Sequence, residues 1–238
     1  MLTAIPWRLC STNEDEGIHL GPVSDRESTV NTNLMTEVPL FPLGTVLFPG
    51  GRLPLQIFEV RYLDMVGHCH REGLPFGVVS LIHGGEVRKA GDEDQAPEIF
   101  QNIGTMARIT SWEAPQPGLM RIDCVGEQRF KVLGQRKLKH GLWVGDVERL
   151  EADQTVTVPD DLVHVAQQLE RLIQHLQARV ISPEQFPIAT PFALDDCGWV
   201  ANRWSELLPL PPAMKQNLLA LDSPLMRLEL IADFLEQF

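Results

Sequence analysis

Large apolar residues follow three different spacings along the chain, and each spacing predicts a different kind of element. From Val38 to Met65, short apolar runs are separated by prolines and glycines; up to Arg149, apolar and polar residues mostly alternate; after Pro159, apolar residues recur every three or four positions. The first spacing is incompatible with a helix, the second is typical of strands, and the third is typical of amphipathic helices. The pattern predicts an α+β chain in which strands precede helices.

The segment from Val38 to Met65 is dense in both prolines and large apolar residues. Proline fixes φ and lacks a backbone donor, so strands in this segment are expected to be short, kinked or at a sheet edge. Too many large apolar groups are present for a solvated loop. We therefore expect a buried, irregular first part of a compact barrel, shaped by Pro39, Pro42, Pro49, Pro54 and the turn at Gly50-Gly51.

One short helix and a series of short strands are predicted to follow. The helix covers Glu59 to Arg71, where apolar residues have helical spacing and Gly73 is a stop signal. Gly126 is expected to end one of the strands. Many short strands separated by Gly and Pro turns predict a closed or nearly closed small barrel. The predicted strands are Leu74–Ile82, Asn102–Glu113, Leu119–Val125, Gln128–Leu133 and Gly141–Arg149.

Helical periodicity dominates the C-terminal third. A helix is predicted after Pro159 as far as Leu176, a second with Asp195 as its cap, a short third over Ala213–Leu221, and a last one starting at Ser223-Pro224. The predicted organisation is a barrel subdomain over 37–150, a linker over 151–158 and a helical subdomain, forming a helical bundle, over 159–238.

Residues 1–36 form an N-terminal leader that is polar and acidic after its first ten positions. Such a segment buries too little apolar surface to order itself, so we expect it to be mobile. It does not resemble a signal peptide, and no apolar run reaches the roughly 20 residues that span a bilayer. Cytoplasmic location is the default expectation. Because Met35 directly precedes the organised part, translation starting at Met35 rather than Met1 is one hypothesis.

The acidic charge balance argues against some classes of partner. A formal net charge of -12 and a pI near 5.0 disfavour a nonspecific nucleic-acid or anionic-membrane surface, because the overall field repels polyanions. The four cysteines are widely spaced and include no CxxC motif, so neither a zinc site nor a disulfide framework is indicated. Reduced thiols are expected.

No combination of residues predicts catalysis, a cofactor or a metal. The triplet His68-Cys69-His70 is suggestive, but neighbours on a helix do not share a face. Cys197 follows Asp195-Asp196, whose charges oppose thiolate formation. Asp92-Glu93-Asp94 lacks the spaced ligands of a calcium loop and is expected to be a solvated turn. No nucleophile elbow, P-loop or dinucleotide motif is present, so we do not expect an enzyme.

Two sets of residues suggest binding instead. The basic segment from Arg129 to His140 alternates with apolar residues, which is compatible with RNA phosphates but more simply with the outer face of a strand. Aromatic residues could line an apolar groove that holds polypeptide segments without reading their exact sequence. The candidate protein-binding residues are Phe48, Phe58, Arg61, Tyr62 and Trp112, with Trp143 as a further aromatic.

Four stretches of the chain, in this order, resemble the N-terminal substrate-binding domain of Lon proteases. The first is the segment from Val38 to Met65, and the second is IGTMARI, which includes Gly104. The third is GLMRIDCVGEQRFKV, which includes Gly126, Arg129 and Phe130. The fourth is the helical end, LLPLPPAMKQNLLALDSPLMRLELIADFL.

This resemblance implies a pseudobarrel related to RNA-binding PUA domains, followed by a helical lobe, and a role in contacting exposed apolar segments of unfolded or substrate polypeptides. No ATPase or serine-lysine protease module is present in the 238 residues, so we expect a noncatalytic module that acts on polypeptides or with a proteolytic partner. An RNA-binding PUA-like module is the alternative, and a hydrolase using His68, Cys69 or His70 is the weakest hypothesis. Within the motif, Glu59 and Arg61 are expected to pair with each other or with Arg129.

Overall fold

A computed structural model describes residues 33–85, 98–179 and 186–236 of the chain. Most of the leader and the acidic triplet at positions 92–94 lie outside these ranges, so the predictions about them remain open. The strands in the described residues are β1 Leu34–Leu43, β2 Arg52–Ile57, β3 Phe76–His83, β4 Ile99–Gln116, β5 Leu119–Lys137 and β6 Trp143–Arg149. The helices are α1 Val60–Glu72, α2 Val163–Arg179, α3 Cys197–Leu207, α4 Pro212–Ala220 and α5 Pro224–Leu235. The predicted α+β class is confirmed.

The six strands form one mixed sheet in the order β2-β5-β4-β3-β1-β6. Only β1 and β3 are parallel; the other pairs are antiparallel. The 19-residue β5 pairs with β2 over 120–125, with β4 over 119–131 and with β6 over 130–137. Because β6 also pairs with β1, the sheet closes on itself. The relationship of this closed sheet to PUA domains stays a prediction.

Gly126 does not end a strand, contrary to the sequence prediction. It lies inside β5, which continues to Lys137, at a shift in the register with β4. A Cβ at Gly126 would lie 2.2 Å from the carbonyl oxygen of Phe48, and the Gly126 carbonyl accepts a hydrogen bond of 2.7 Å from the Gly50 N–H. The missing side chain therefore lets the 48–51 turn contact the strand directly, rather than breaking it.

Close packing against a buried ring also explains why glycine is present at Gly104 on β4 and at Gly77 on β3. Phe130 is fully buried, and Cβ atoms built at Gly77 and Gly104 would each lie 2.7 Å from its ring. A side chain at either glycine would displace the ring from its buried position. The two glycines and Phe130 thus occupy one layer of the interior.

Helix ends follow ordinary capping chemistry, with one correction. Asp196, not Asp195, caps α3: its carboxylate accepts a hydrogen bond of 2.8 Å from the Trp199 N–H. Ser223 caps α5 and Pro224 is its first residue, as predicted. A capping side chain bonds to an N–H two or three residues later, and the carboxylate that reaches the Trp199 N–H is that of Asp196.

The four C-terminal helices share a hydrophobic core with part of the sheet and its connections. Val165, Leu169, Val200 and Leu228 are fully buried in this cluster, which also includes Phe48. The predicted linker at 151–158 is held in place by backbone hydrogen bonds between Val158 and Asp195 and between Cys197 and Val156. The exact domain boundaries remain a prediction.

Candidate functional site

An apolar groove lies where β2 leads into α1. It has a cavity volume of about 210 Å³. Its walls come from the end of β1, from β2 and from the first turn of α1. The lining residues are Phe41, Leu43, Pro54, Leu55, Gln56, Ile57, Phe58, Glu59 and Tyr62. Apart from Gln56 and Glu59, the lining is apolar or aromatic, as expected for a site that binds apolar side chains.

The floor of the groove is held by aromatic stacking. The Tyr62 ring stacks on Phe41, with centroids 4.0 Å apart and an angle of 19° between the planes. Tyr62 is buried because it lies on the inner face of α1 with Met65 and Val66. The floor is thus fixed before any ligand arrives.

An ion pair fixes the rim. Glu59 stands at the N-cap position of α1, but its side chain makes no capping bond; its carboxylate instead accepts a hydrogen bond of 3.1 Å from Arg61 Nε and lies 3.0 Å from Arg61 Nη2. Arg61 also donates to the Gly141 carbonyl at 2.8 Å and lies 3.6 Å from Glu98. The buried guanidinium therefore ties the start of α1 to the β5–β6 connection.

Phe58 is the exposed aromatic residue of the groove. It follows the buried Ile57 at the end of β2, and 52% of its surface is accessible. Val60, two positions later, is 71% exposed. Sequence reasoning missed Val60 and the lining residues Leu43 and Phe41, because local sequence does not distinguish an apolar side chain at a groove from one in the core.

The structure does not bring the five predicted binding residues together. Phe58 and Tyr62 line the groove, and Arg61 supports its rim from a buried position. Phe48 is fully buried in the helical core, and Trp112 stacks on His70 with centroids 4.7 Å apart. Phe48, Arg61 and Tyr62 therefore present almost no surface to a partner in this conformation.

Arg129 has a different role from pairing with Glu59. It is buried and donates hydrogen bonds to the carbonyls of Leu219 and Leu221 and to the carboxylates of Asp153 and Asp222. Of the two predicted alternatives, the Glu59–Arg61 pair is the one observed. Arg129 instead joins β5 to the segment between α4 and α5.

Pro49 and Gly50 form the turn that meets α3. The Pro49 carbonyl accepts a hydrogen bond of 2.9 Å from Arg203, and Gly50 has a positive φ of 73°, which favours glycine. Arg203 forms an ion pair of 2.9 Å with Glu206 on the same helix. The turn is thus in contact with charged groups that are largely enclosed.

The triplet at positions 68–70 diverges as expected for a helix. Cys69 is buried and His70 is exposed. Burial raises the pKa of the Cys69 thiol to about 11, and that of Cys124 to about 12. The pKa of Cys197 is also raised, chiefly by burial and then by Asp196. Within the described ranges, no group of three or more His, Cys, Asp or Glu side chains is placed to hold a metal ion.

Half of the predicted basic patch, namely Arg129, Arg136 and Lys137, is paired with acidic groups of the fold. Arg136 pairs with Glu37, and Lys137 pairs with Glu98 at 2.5 Å while lying 4.9 Å from the centre of the Trp143 ring. The charges of Arg136, Lys137 and the buried Arg129 are therefore opposed within the fold. Lys131, Lys139 and His140 are exposed.

Comparison with known proteins identifies the family. The model of the ATP-dependent protease La (LON) substrate-binding domain matches residues 37–237. The chain belongs to the family of Lon substrate-binding domains. A Lon N-terminal domain protein from Xanthomonas campestris has the same fold, with a TM-score of 0.64 and 32% identity over 84% of this chain and 98% of that one.

Two Lon proteases that are much longer than this Lon substrate-binding domain also match it. A Lon protease from Flavobacterium johnsoniae is 31% identical over 121 residues, which are 50% of this chain and 14% of that protein. One from Methylocella silvestris is 24% identical over 82% of this chain and 23% of its own length. The matches thus concern a small part of each protease.

The N-terminal domain of a Mycobacterium avium complex Lon protease shares the fold, with a TM-score of 0.51 and 19% identity over 83% of this chain and 96% of that one. The region matched by the family is the substrate-binding domain, not an ATPase or protease module.

In the described part of this Lon domain, no helix is both long and apolar enough to cross a membrane.

Proposed function

We propose that this Lon substrate-binding domain is a noncatalytic module that holds exposed apolar segments of unfolded polypeptides in the groove between β2 and α1. The observation that carries the proposal is the exposed Phe58 ring beside a preformed apolar floor. A rigid aromatic residue at the mouth of a concave apolar site is the usual anchor of a peptide-binding surface.

The charge distribution supports polypeptide over nucleic acid as the ligand. The guanidinium of Arg129 is enclosed by carbonyls and carboxylates, and Arg136 and Lys137 have acidic partners. The chain as a whole is acidic. Salt-dependent binding of mixed-sequence RNA would contradict this part of the proposal, because phosphate contacts weaken as salt rises.

The similarity to Lon proteases suggests where the bound polypeptide goes. We infer that the domain acts with a proteolytic partner in the cytoplasm, where the free thiols at Cys69, Cys124 and Cys197 would stay reduced. Co-purification of a protease from native cells is the expected result.

Fluorescence anisotropy tests the groove directly. The probe is reduced, carboxymethylated α-lactalbumin labelled with fluorescein. Phe58→Ala is expected to weaken binding at least fivefold, because it removes the exposed anchor. Leu133→Ala is the matched control, since Leu133 is similarly exposed (54%) and does not line the groove. Equal affinities for the two variants, or no binding by the unmodified protein, would overturn the proposal.

A further inference from the structure

The strand that forms one wall of the groove has an edge that no other described strand covers. Among the described strands, β2 is the one that pairs with a single neighbour, β5. The groove is lined by four consecutive β2 residues, Pro54 to Ile57. Successive side chains of a strand point to opposite faces, so a groove lined by consecutive residues follows the edge of β2 rather than one face.

The hydrogen-bond pattern shows which backbone groups face that edge. The Gly126 N–H donates to the Gly51 carbonyl at 2.9 Å, so Gly51 faces β5. The register continues with Pro54 opposite Asp123 and Gln56 opposite Arg121. In an antiparallel pair, residues alternate between bonding to the neighbour and pointing away from it. The backbone groups of Pro54 and Gln56 therefore point away from β5.

The presence of a proline at position 54 agrees with this alternation of inward and outward backbone groups. A proline within a strand is tolerated where its missing N–H would face the open edge, because no bond to the neighbouring strand is lost. Its carbonyl still offers an acceptor on that edge. Gln56 offers both an N–H donor and a carbonyl acceptor. Together they can pair with the carbonyl and the N–H of one residue of an added strand.

The same edge already accepts backbone pairing at its start. An antiparallel bridge joins Gly51 to Ile188, and the Arg52 guanidinium donates to the Phe186 carbonyl at 2.8 Å. Since β5 occupies the other side of Gly51, the segment at 186–188 lies on the open side. The part of the edge from Pro54 onward continues this interface and runs beside the apolar groove.

We infer that the domain binds its polypeptide as an added β-strand along the Pro54–Ile57 edge of β2. This inference rests on the proposed function and specifies its mode. The occupant is an extended segment with apolar side chains at alternate positions. Its backbone pairs with Gln56 and with the Pro54 carbonyl, and one face of its side chains enters the groove beside Phe58. Recognition then depends on conformation and alternation rather than on exact sequence.

N-methylated peptides test this mode. The probe is a fluorescein-labelled nonapeptide with lysine at both ends and threonine alternating with valine or phenylalanine between them. Two isomers carry backbone N-methyl groups on either the odd or the even residues and keep every side chain. In the bound peptide, the N–H groups of one alternate set of residues face β2 and those of the other set face solvent. The isomer methylated on the set that faces β2 is expected to bind at least tenfold more weakly than the parent, and the other isomer within about threefold of it.

Each outcome has a separate meaning. If both isomers bind like the parent, or both lose affinity equally, strand addition is overturned while groove binding stands. If the parent nonapeptide and unfolded α-lactalbumin both fail to bind, the proposed function itself fails, and strand addition with it.

A pair of protein variants gives an independent readout. Gln56→Pro removes the outward N–H without removing a bond to β5, whereas Gln56→Ala keeps the N–H and removes only the side chain. Affinity for the nonapeptide is expected to fall at least tenfold in the first and less than twofold in the second, with thermal melts verifying that both variants fold. Equal affinities would overturn the inference.

Discussion

Glu206 on α3 and Gly51 before β2 are in such close contact that a Cβ on Gly51 would lie 1.9 Å from the Glu206 carboxylate. The same Cβ would lie 2.9 Å from the Phe48 carbonyl. The turn before β2 and helix α3 thus meet at a point where there is no space for a side chain. This contact explains the glycine better than turn geometry does.

Gly51→Ala is expected to reduce the free energy of unfolding by about 1 to 3 kcal/mol, the usual cost of forcing extra atoms into a packed site. Chemical denaturation provides the measurement. Gly134→Ala is the control, because a Cβ there would have a single neighbour at 3.9 Å, the Asp146 carboxylate. Similar losses in the two variants would show that the contact is not as tight as described.

Glu206 should make stability depend on pH. Burial raises its pKa to about 7, although Arg203 and, more weakly, a Phe48 hydrogen bond and Lys215 oppose the shift. The folded state then binds more protons than the unfolded state between about pH 4.5 and 7, so its contribution to stability falls as pH rises through that window.

Glu206→Gln removes this titration. Urea unfolding at several pH values between 4.5 and 8 is expected to show a less negative slope of unfolding free energy against pH in this variant. Glu113→Gln, at an exposed site on β4, should keep the slope of the unmodified protein. An unchanged slope in Glu206→Gln would contradict the assignment.

Asp153 is expected to be essential for stability because it pairs with two buried arginines. It contacts Arg129 at 3.2 Å and Arg227 at 2.5 Å. Asp153→Ala leaves both guanidinium groups short of a countercharge and should cost about 3 to 5 kcal/mol in chemical denaturation. Asp222→Ala removes another partner of Arg129, but the Asp222 side chain is 90% exposed, so its loss should cost less than about 1 kcal/mol. Comparable losses would refute the role given to Asp153.

Substitutions of Phe48 and Phe58 should differ in their effect on the free energy of unfolding. Phe48→Ala empties a fully buried site in the helical core and should cost about 3 to 5 kcal/mol of unfolding free energy. Phe58→Ala removes an exposed ring and should change stability by less than about 1 kcal/mol. Thermal and chemical unfolding of the two variants provide the comparison; a large loss in Phe58→Ala would mean that the ring is part of the core.

The chain order of strands and helices could be predicted from the sequence because hydrophobic periodicity is local. The α1 helix and the start of α5, with its Ser223 cap and Pro224 as first residue, follow from residues within a few positions of one another. The path through Gly126 could not be predicted, because the reason that β5 continues is a contact with Phe48, nearly 80 positions earlier. Local turn chemistry suggested a break where a close approach of two backbone segments required glycine.

The candidate site, too, has features that follow from local sequence and features that depend on distant contacts. The sequence by itself determined the α+β class, the apolar character of the Val38–Met65 segment and its resemblance to Lon substrate-binding domains. Only the tertiary structure decided that Phe48 and Tyr62 are buried while Phe58 is exposed, and that Arg129 binds the helical end rather than Glu59. Hydrophobicity says that a side chain gains by leaving water, but which side chain does so depends on which distant elements pack against it.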